Sequence, residues 1–87
     1  MKKCILIADD SQTIRSVLRT FLESREGFEV CGEAVDGVDA IEKAKELRPD
    51  LIILDLAMPR MNGAAAASVL KRMMPKVPII LLPCMTE

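Results

Sequence analysis

The sequence predicts an α/β domain built on a parallel sheet, and three observations carry that expectation. Short aliphatic runs alternate with segments whose apolar residues recur at helical spacing, giving the order β-α-β-α-β-α-β. The runs at residues 4–8 and 51–54 are continuously apolar, as strands buried on both faces are. Hydrophobic residues make up 51% of the chain, which requires a packed core and excludes disorder.

Residues 3–8 read as a central strand. Ser11 is suited to cap a helix whose stripe is Ile14, Val17, Leu18, Phe21 and Leu22, at i, i+3, i+4, i+7 and i+8. Gly27 ends that helix, and residues 28–35 form a weaker strand alternating at Phe28 and Val30, as an edge strand does. Asp36-Gly37 opens a second helix with Val38, Ile41, Ala44 and Leu47 on one side, and Pro49 stops it. Residues 51–54 are the third strand, with Asp55 at its end and Pro59 and Gly63 in the loop beyond. Residues 64–74 carry Ala66, Val69, Leu70, Met73 and Met74 at helical spacing, and Pro75 and Pro78 mark the exit. A fourth apolar strand spans residues 79–82. No repeat, low-complexity tract or linker divides the 87 residues, so one domain, 1–87, is expected.

Composition removes most catalytic chemistries. The chain has no His, Trp or Tyr, so it can build neither a Ser-His-Asp nor a Cys-His nucleophile pair, nor an imidazole metal site. Twelve basic and 13 acidic side chains give a formal charge of −1, and Phe occurs only twice. A nucleic-acid footprint needs a basic surface or stacking rings, so none is expected. The apolar run after Met1-Lys2-Lys3 is too short for a signal core, and the nine residues 77–85 are too short to span a bilayer. Cys4, Cys31 and Cys84 are odd in number and far apart, and read as three small buried residues in a reducing cytoplasm.

The chemistry gathers where strands end. In an open parallel sheet the carboxyl ends of the strands share one edge, where sites form. The first strand ends in Asp9 and Asp10 and the third in Asp55. If those strands are neighbours, three carboxylates converge, and they can stay ionised together only with a cation. An all-oxygen donor set suits Mg²⁺. Each aspartate alone also fits an ordinary turn after a strand. The adjacent aspartates do not form the Asp-x-Asp of haloacid-dehalogenase-type phosphatases, and neither G-x-G-x-x-G nor G-x-x-x-x-G-K occurs.

Taken together, several segments resemble a bacterial response-regulator receiver domain of the chemotaxis-regulator type. They are Ile5-Leu6-Ile7-Ala8-Asp9-Asp10-Ser11, Ala34-Val35-Asp36-Gly37-Val38-Asp39-Ala40, the stretch from Pro49-Asp50-Leu51 through Asp55 to Met61-Asn62-Gly63, and Val77-Pro78-Ile79-Ile80-Leu81-Leu82. The resemblance implies a flavodoxin-like, doubly wound parallel sheet, here incomplete, with strand order 2-1-3-4 and three helices. It implies that Asp55 is the phosphoacceptor of a two-component system, served by a histidine kinase or histidine phosphotransfer protein. It implies a Mg²⁺ ion on Asp9, Asp10, Asp55 and the backbone carbonyl of Ala57, with Pro59 and Gly63 shaping the site loop. Such a protein is regulatory rather than an enzyme, beyond its own phosphorylation and dephosphorylation.

Two departures from the family pattern stand out. Aligned on Pro78, the position where the family places a Ser or Thr is Pro83, which offers neither a hydroxyl nor a backbone N–H. The family also continues past the fourth strand with a helix, a lysine-bearing fifth strand and a last helix, so the sequence reads as a receiver truncated at Glu87. Lys76 precedes the fourth strand, at the opposite sheet edge, and cannot replace that lysine; Arg60 is a minor candidate for approaching a phosphoryl group. Phosphotransfer is therefore expected to be impaired. The alternative is a degenerate receiver acting as an interaction module, and homo-oligomerisation through the edge of residues 79–82 or an uncovered helical face is expected.

Overall fold

The computed structural model describes residues 2–83. Seven elements alternate: β1 (Lys3–Ala8), α1 (Gln12–Glu23), β2 (Phe28–Ala34), α2 (Gly37–Leu47), β3 (Leu51–Asp55), α3 (Gly63–Met73) and β4 (Ile79–Leu82). All strand pairs are parallel and the sheet order is β2-β1-β3-β4. The neighbouring of β1 and β3, left conditional by periodicity alone, is therefore realised, with Ala8 opposite Leu54. It is the flavodoxin-like arrangement expected from the resemblance.

Continuous apolarity of the inner strands has the expected cause. Ile5, Leu6, Ile7 and Ala8 are fully buried because both faces of β1 are covered. Leu6, Ala8, Ile52 and Leu54 pack with Ala40, Ala44, Ala66 and Leu70 beneath α2 and α3. Ile5, Ile7, Val30 and Ile53 form the other core, against which Leu18 and Leu22 of α1 pack. Small alanines on α2 and α3 let both helices lie close to the sheet.

The helix ends are set by local chemistry. Ser11 Oγ accepts from the Ile14 amide, Asp36 Oδ1 from the Asp39 amide and Asn62 Oδ1 from the Ala65 amide, so each helix has a polar N-cap. Helix α2 closes on Arg48 in the left-handed region at φ 49°, immediately before Pro49.

Two parts of the sequence reading need correction. The apolar stripe of α1 is only half used: Leu18 and Leu22 pack, whereas Val17 and Phe21 are 60% and 54% exposed. The helix backbone lies against β1 and β2, and among the described residues its apolar stripe is broader than the surface it covers. The cysteines are the other case. Cys4 and Cys31 are half-buried and joined as a disulfide with Cα atoms 5.4 Å apart. Parallel pairing of β1 with β2 brings them together, and Cys31 is the extra residue of a bulge between Val30 and Gly32. A separation of 27 residues carried no hint of this. Cys84 lies outside the described residues.

Among the described residues strand β4 pairs on one side only, with β3. Ile80 and Leu81 are 47% and 41% exposed. Among the described residues no helix is long and apolar enough to cross a membrane.

Candidate functional site

At the carboxyl edge of the sheet, β1 runs into Asp9 and Asp10 while β3 ends on Asp55. One carboxylate oxygen from each lies within 4.8 Å of the other two. Asp9 is buried, Asp55 half-buried and Asp10 exposed, so the cluster opens to solvent on one side. Burial pushes the Asp9 carboxyl above the usual aspartate range, and the neighbouring Asp55 and Asp10 carboxylates add to this; the Ser11 amide and the Arg15 charge oppose it. Gathering three carboxylates here is therefore electrostatically unfavourable by itself. Hard oxygen donors with one side open to water fit a small divalent cation that retains part of its hydration shell.

Asp9 is held at almost every polar atom. Its amide donates to the Ala34 carbonyl at 3.0 Å and its Oδ1 accepts from the Ser11 amide at 2.8 Å. Its carbonyl accepts from Arg15 Nη1 at 2.6 Å. Arg15 Nε in turn meets Glu33 Oε1 at 2.8 Å, and Arg19 Nε meets Glu33 Oε2 at 2.8 Å. These two guanidinium groups, Arg19 foremost, hold the Glu33 carboxyl below its ordinary range.

The loop after Asp55 is shaped by close packing and by a second ion pair. Ala57 is exposed, and its amide approaches Asp55 Oδ1 at 3.4 Å, a long contact. The adjacent Met58 is 8% exposed and anchors the loop in the core. Pro59 is exposed. Gly63 is buried at the start of α3, donates its amide to the Leu56 carbonyl at 3.0 Å, and lies against Asp55. A Cβ at Gly63 would strike the Asp55 carbonyl oxygen and come within 2.9 Å of its carbonyl carbon.

Arg60, at φ 63°, turns away from the acidic cluster and forms a two-point contact with Asp36 at 2.7 and 3.1 Å. That contact, Arg60 first, keeps the Asp36 carboxyl below its ordinary range. The Gly37 amide also donates to the Met61 carbonyl at 3.0 Å, so the loop is docked on the start of α2. In this structure Arg60 is engaged by Asp36 and ties the loop to the start of α2. Pro83 is exposed and adjoins Leu82, the residue paired with Asp55. Lys76 lines a groove with Lys3, Asp50 and Pro78, at the amino edge of the sheet and away from the aspartates.

The structure thus brings Asp9, Asp10 and Asp55 together, with Ala57 in the following loop and Gly63 at the start of α3 against Asp55. The sequence reading missed Arg15, Glu33 and Met58. Arg15 and Arg19 at i, i+4 and an acidic residue, Glu33, near the end of the second strand were the available signals.

The comparisons with known proteins agree with this geometry. The model of the response regulator receiver domain matches residues 5–86. Chemotaxis protein CheY of Thermotoga maritima is 40% identical over 87 residues, all of this chain and 72% of that protein. A protein-glutamate methylesterase/protein-glutamine glutaminase of Pyrococcus horikoshii is 45% identical over 83 residues, 95% of this chain. The chain spans only 22% of that longer relative. The response regulator domain of Thermotoga maritima CheB superposes with a TM-score of 0.91 at 36% identity, covering 100% of this chain and 64% of that one.

Substituting Gly63→Ala is expected to destabilise the fold by about 1–3 kcal/mol, because backbone rather than a flexible side chain must yield. Urea unfolding should show the loss, and the amide resonances of Asp55, Leu56 and Ala57 should move. A variant with wild-type stability and unmoved resonances would contradict the packing argument. The order of the strands, the aspartates at their ends and the match over residues 5–86 lead to one conclusion: this chain belongs to the response regulator receiver domain family.

Proposed function

We propose that this chain is a phosphoacceptor module in which Asp55 takes a phosphoryl group from the phosphohistidine of a histidine kinase or histidine phosphotransfer protein. The observation that carries the reading is the convergence of Asp9, Asp10 and Asp55 oxygens within 4.8 Å. In the transfer, a carboxylate oxygen of Asp55 attacks phosphorus. The O–P bond forms, the N–P bond breaks, and the imidazole leaves with the electron pair and takes a proton from solvent. Asp9, Asp10, Asp55 and the Ala57 carbonyl would hold Mg²⁺, which when bound neutralises charge on the carboxylate and the phosphoryl oxygens. Asp9 and Asp10 contribute no nucleophile. Their part is to hold the cation beside Asp55, whose half-exposed carboxylate remains open to a partner.

Titration with beryllofluoride and Mg²⁺ is expected to shift the amide resonances of Asp9, Asp10, Asp55 and Ala57, and Asp55→Asn should abolish the beryllofluoride response. Wild-type resonances that stay fixed under both ligands would exclude the phosphoacceptor reading. Pro83 is expected to slow the transfer, since it can donate no hydrogen bond to the phosphoryl group. A charge-assisted hydrogen bond is worth about 1.5–3 kcal/mol. Pro83→Thr should therefore raise the rate of phosphorylation by a small-molecule phosphodonor by roughly 10- to 100-fold. An unchanged rate would show that Pro83 does not occupy the donor position.

A second reading, an interaction module that is not phosphorylated, is favoured by Pro83 together with the one-sided pairing of β4. Ile80 and Leu81 there, and Val17 and Phe21 on α1, are apolar surfaces open to another copy of the chain. On this reading, light scattering should find a dimer or larger species that Leu81→Lys shifts toward monomer. A wild-type monomer at all accessible concentrations would refute self-association.

A further inference from the structure

We infer that Arg15, backed by Glu33, is the positioning residue that sets the Asp9-Asp10 turn for cation binding, an inference that rests on the proposed phosphoacceptor reading. Arg15 is the side chain that joins three elements at this point. It rises from α1, grips the Asp9 carbonyl through Nη1 at 2.6 Å and reaches the Glu33 carboxylate on β2 through Nε at 2.8 Å. Its side chain is only 13% exposed, so the fork works in a partly dry setting where its geometry is held.

Glu33 fixes Arg15 from the far side. Its second oxygen is taken by Arg19 at 2.8 Å, so the carboxylate cannot swing away from Arg15 without also breaking that contact, and Lys43 Nζ holds the Glu33 backbone carbonyl at 2.8 Å. Asp9 then has its amide on Ala34, its carbonyl on Arg15 and its Oδ1 on Ser11. Among the described residues nothing donates to Oδ2, the oxygen left for a ligand. A backbone carbonyl that accepts from a guanidinium cannot rotate, and the turn carrying both aspartates inherits that rigidity. Charge is balanced as well: Glu33 offsets the guanidinium that would otherwise repel a cation close by.

A residue acting in this way should control cation affinity and not only stability. Arg15→Lys keeps the charge but loses the planar fork. Supporting contacts around metal ligands typically change affinity by about 10–100-fold. Mg²⁺ titrations followed by amide resonances should therefore show Arg15→Lys binding at least about 10-fold more weakly than wild type. Without any cation, the Ser11 amide of Arg15→Lys should exchange with solvent faster, since the turn it closes on Asp9 is loosened. Arg19→Gln, which loses a Glu33 contact but none to Asp9, serves as the control and should leave affinity within about threefold. Glu33→Gln preserves shape and should lie between the two.

Wild-type affinity and wild-type Ser11 exchange in Arg15→Lys would overturn the inference while leaving the phosphoacceptor reading intact. Equal weakening by Arg19→Gln would overturn it too, since the effect would then be general loosening of α1. A wild-type protein that binds no Mg²⁺ would remove the cation from the proposed function and this inference with it.

Discussion

The constraint on which the rest depends is the adjacency of β1 and β3 in a parallel sheet. Parallel strands end at the same edge, so the residues after Ala8 must meet the residues after Leu54. Those residues are Asp9-Asp10 and Asp55, and the fold thereby presses three acidic groups together. The burial of Ile5–Ala8 and Ile52–Leu54 makes that adjacency costly to undo, because each of these side chains would return to water. The hydrophobic effect thus holds in place an electrostatically unfavourable cluster; the affinity of Asp9 for a proton is raised first by its burial and further by the neighbouring Asp55 and Asp10 carboxylates.

Around the cluster the polypeptide is fixed by contacts of two kinds. The β1–α1 turn is fixed by hydrogen bonds, through Ala34, Ser11 and the Arg15–Glu33 pair. The loop after Asp55 is fixed chiefly by packing. Met58 enters the core, and Gly63 lets α3 start against the Asp55 backbone. Docking on α2, through Arg60 with Asp36 and Met61 with Gly37, closes the loop from the other side. Both aspartate-bearing segments are thus held by β2 and α2 as much as by their own strands. Mutations distant in sequence can therefore reach the acidic edge.

The opposite character appears at β4 and along α1. The acidic edge is densely contacted, whereas Ile80, Leu81, Val17 and Phe21 are apolar and open. Helix α1 lies against β1 and β2, and among the described residues it is the one helix that packs on the core of Ile5, Ile7, Val30 and Ile53. A guanidinium from Arg25 lies 5.1 Å from the Phe21 ring and covers part of it. This surface is where the proposed interaction module would differ in chemistry from the proposed phosphoacceptor site.

By itself the sequence determined the element order, the central placement of β1 and β3, the polar starts of the first two helices and the three aspartates, because each is written in local period or local chemistry. Ser11, Asp36 and Pro49 act within a few residues of themselves, so their effects are legible without a fold. Only the tertiary structure decided which residues meet across the chain. Arg60 turned to Asp36 rather than to the acidic cluster, Cys4 met Cys31 through strand pairing and a bulge, and Arg15 found Glu33 and the Asp9 carbonyl. The α1 stripe likewise announced more buried surface than the described sheet face supplies. The physical reason is common to all four. Periodicity reports what a segment would bury or expose, whereas strand register and helix placement decide which partner is within a hydrogen bond's reach.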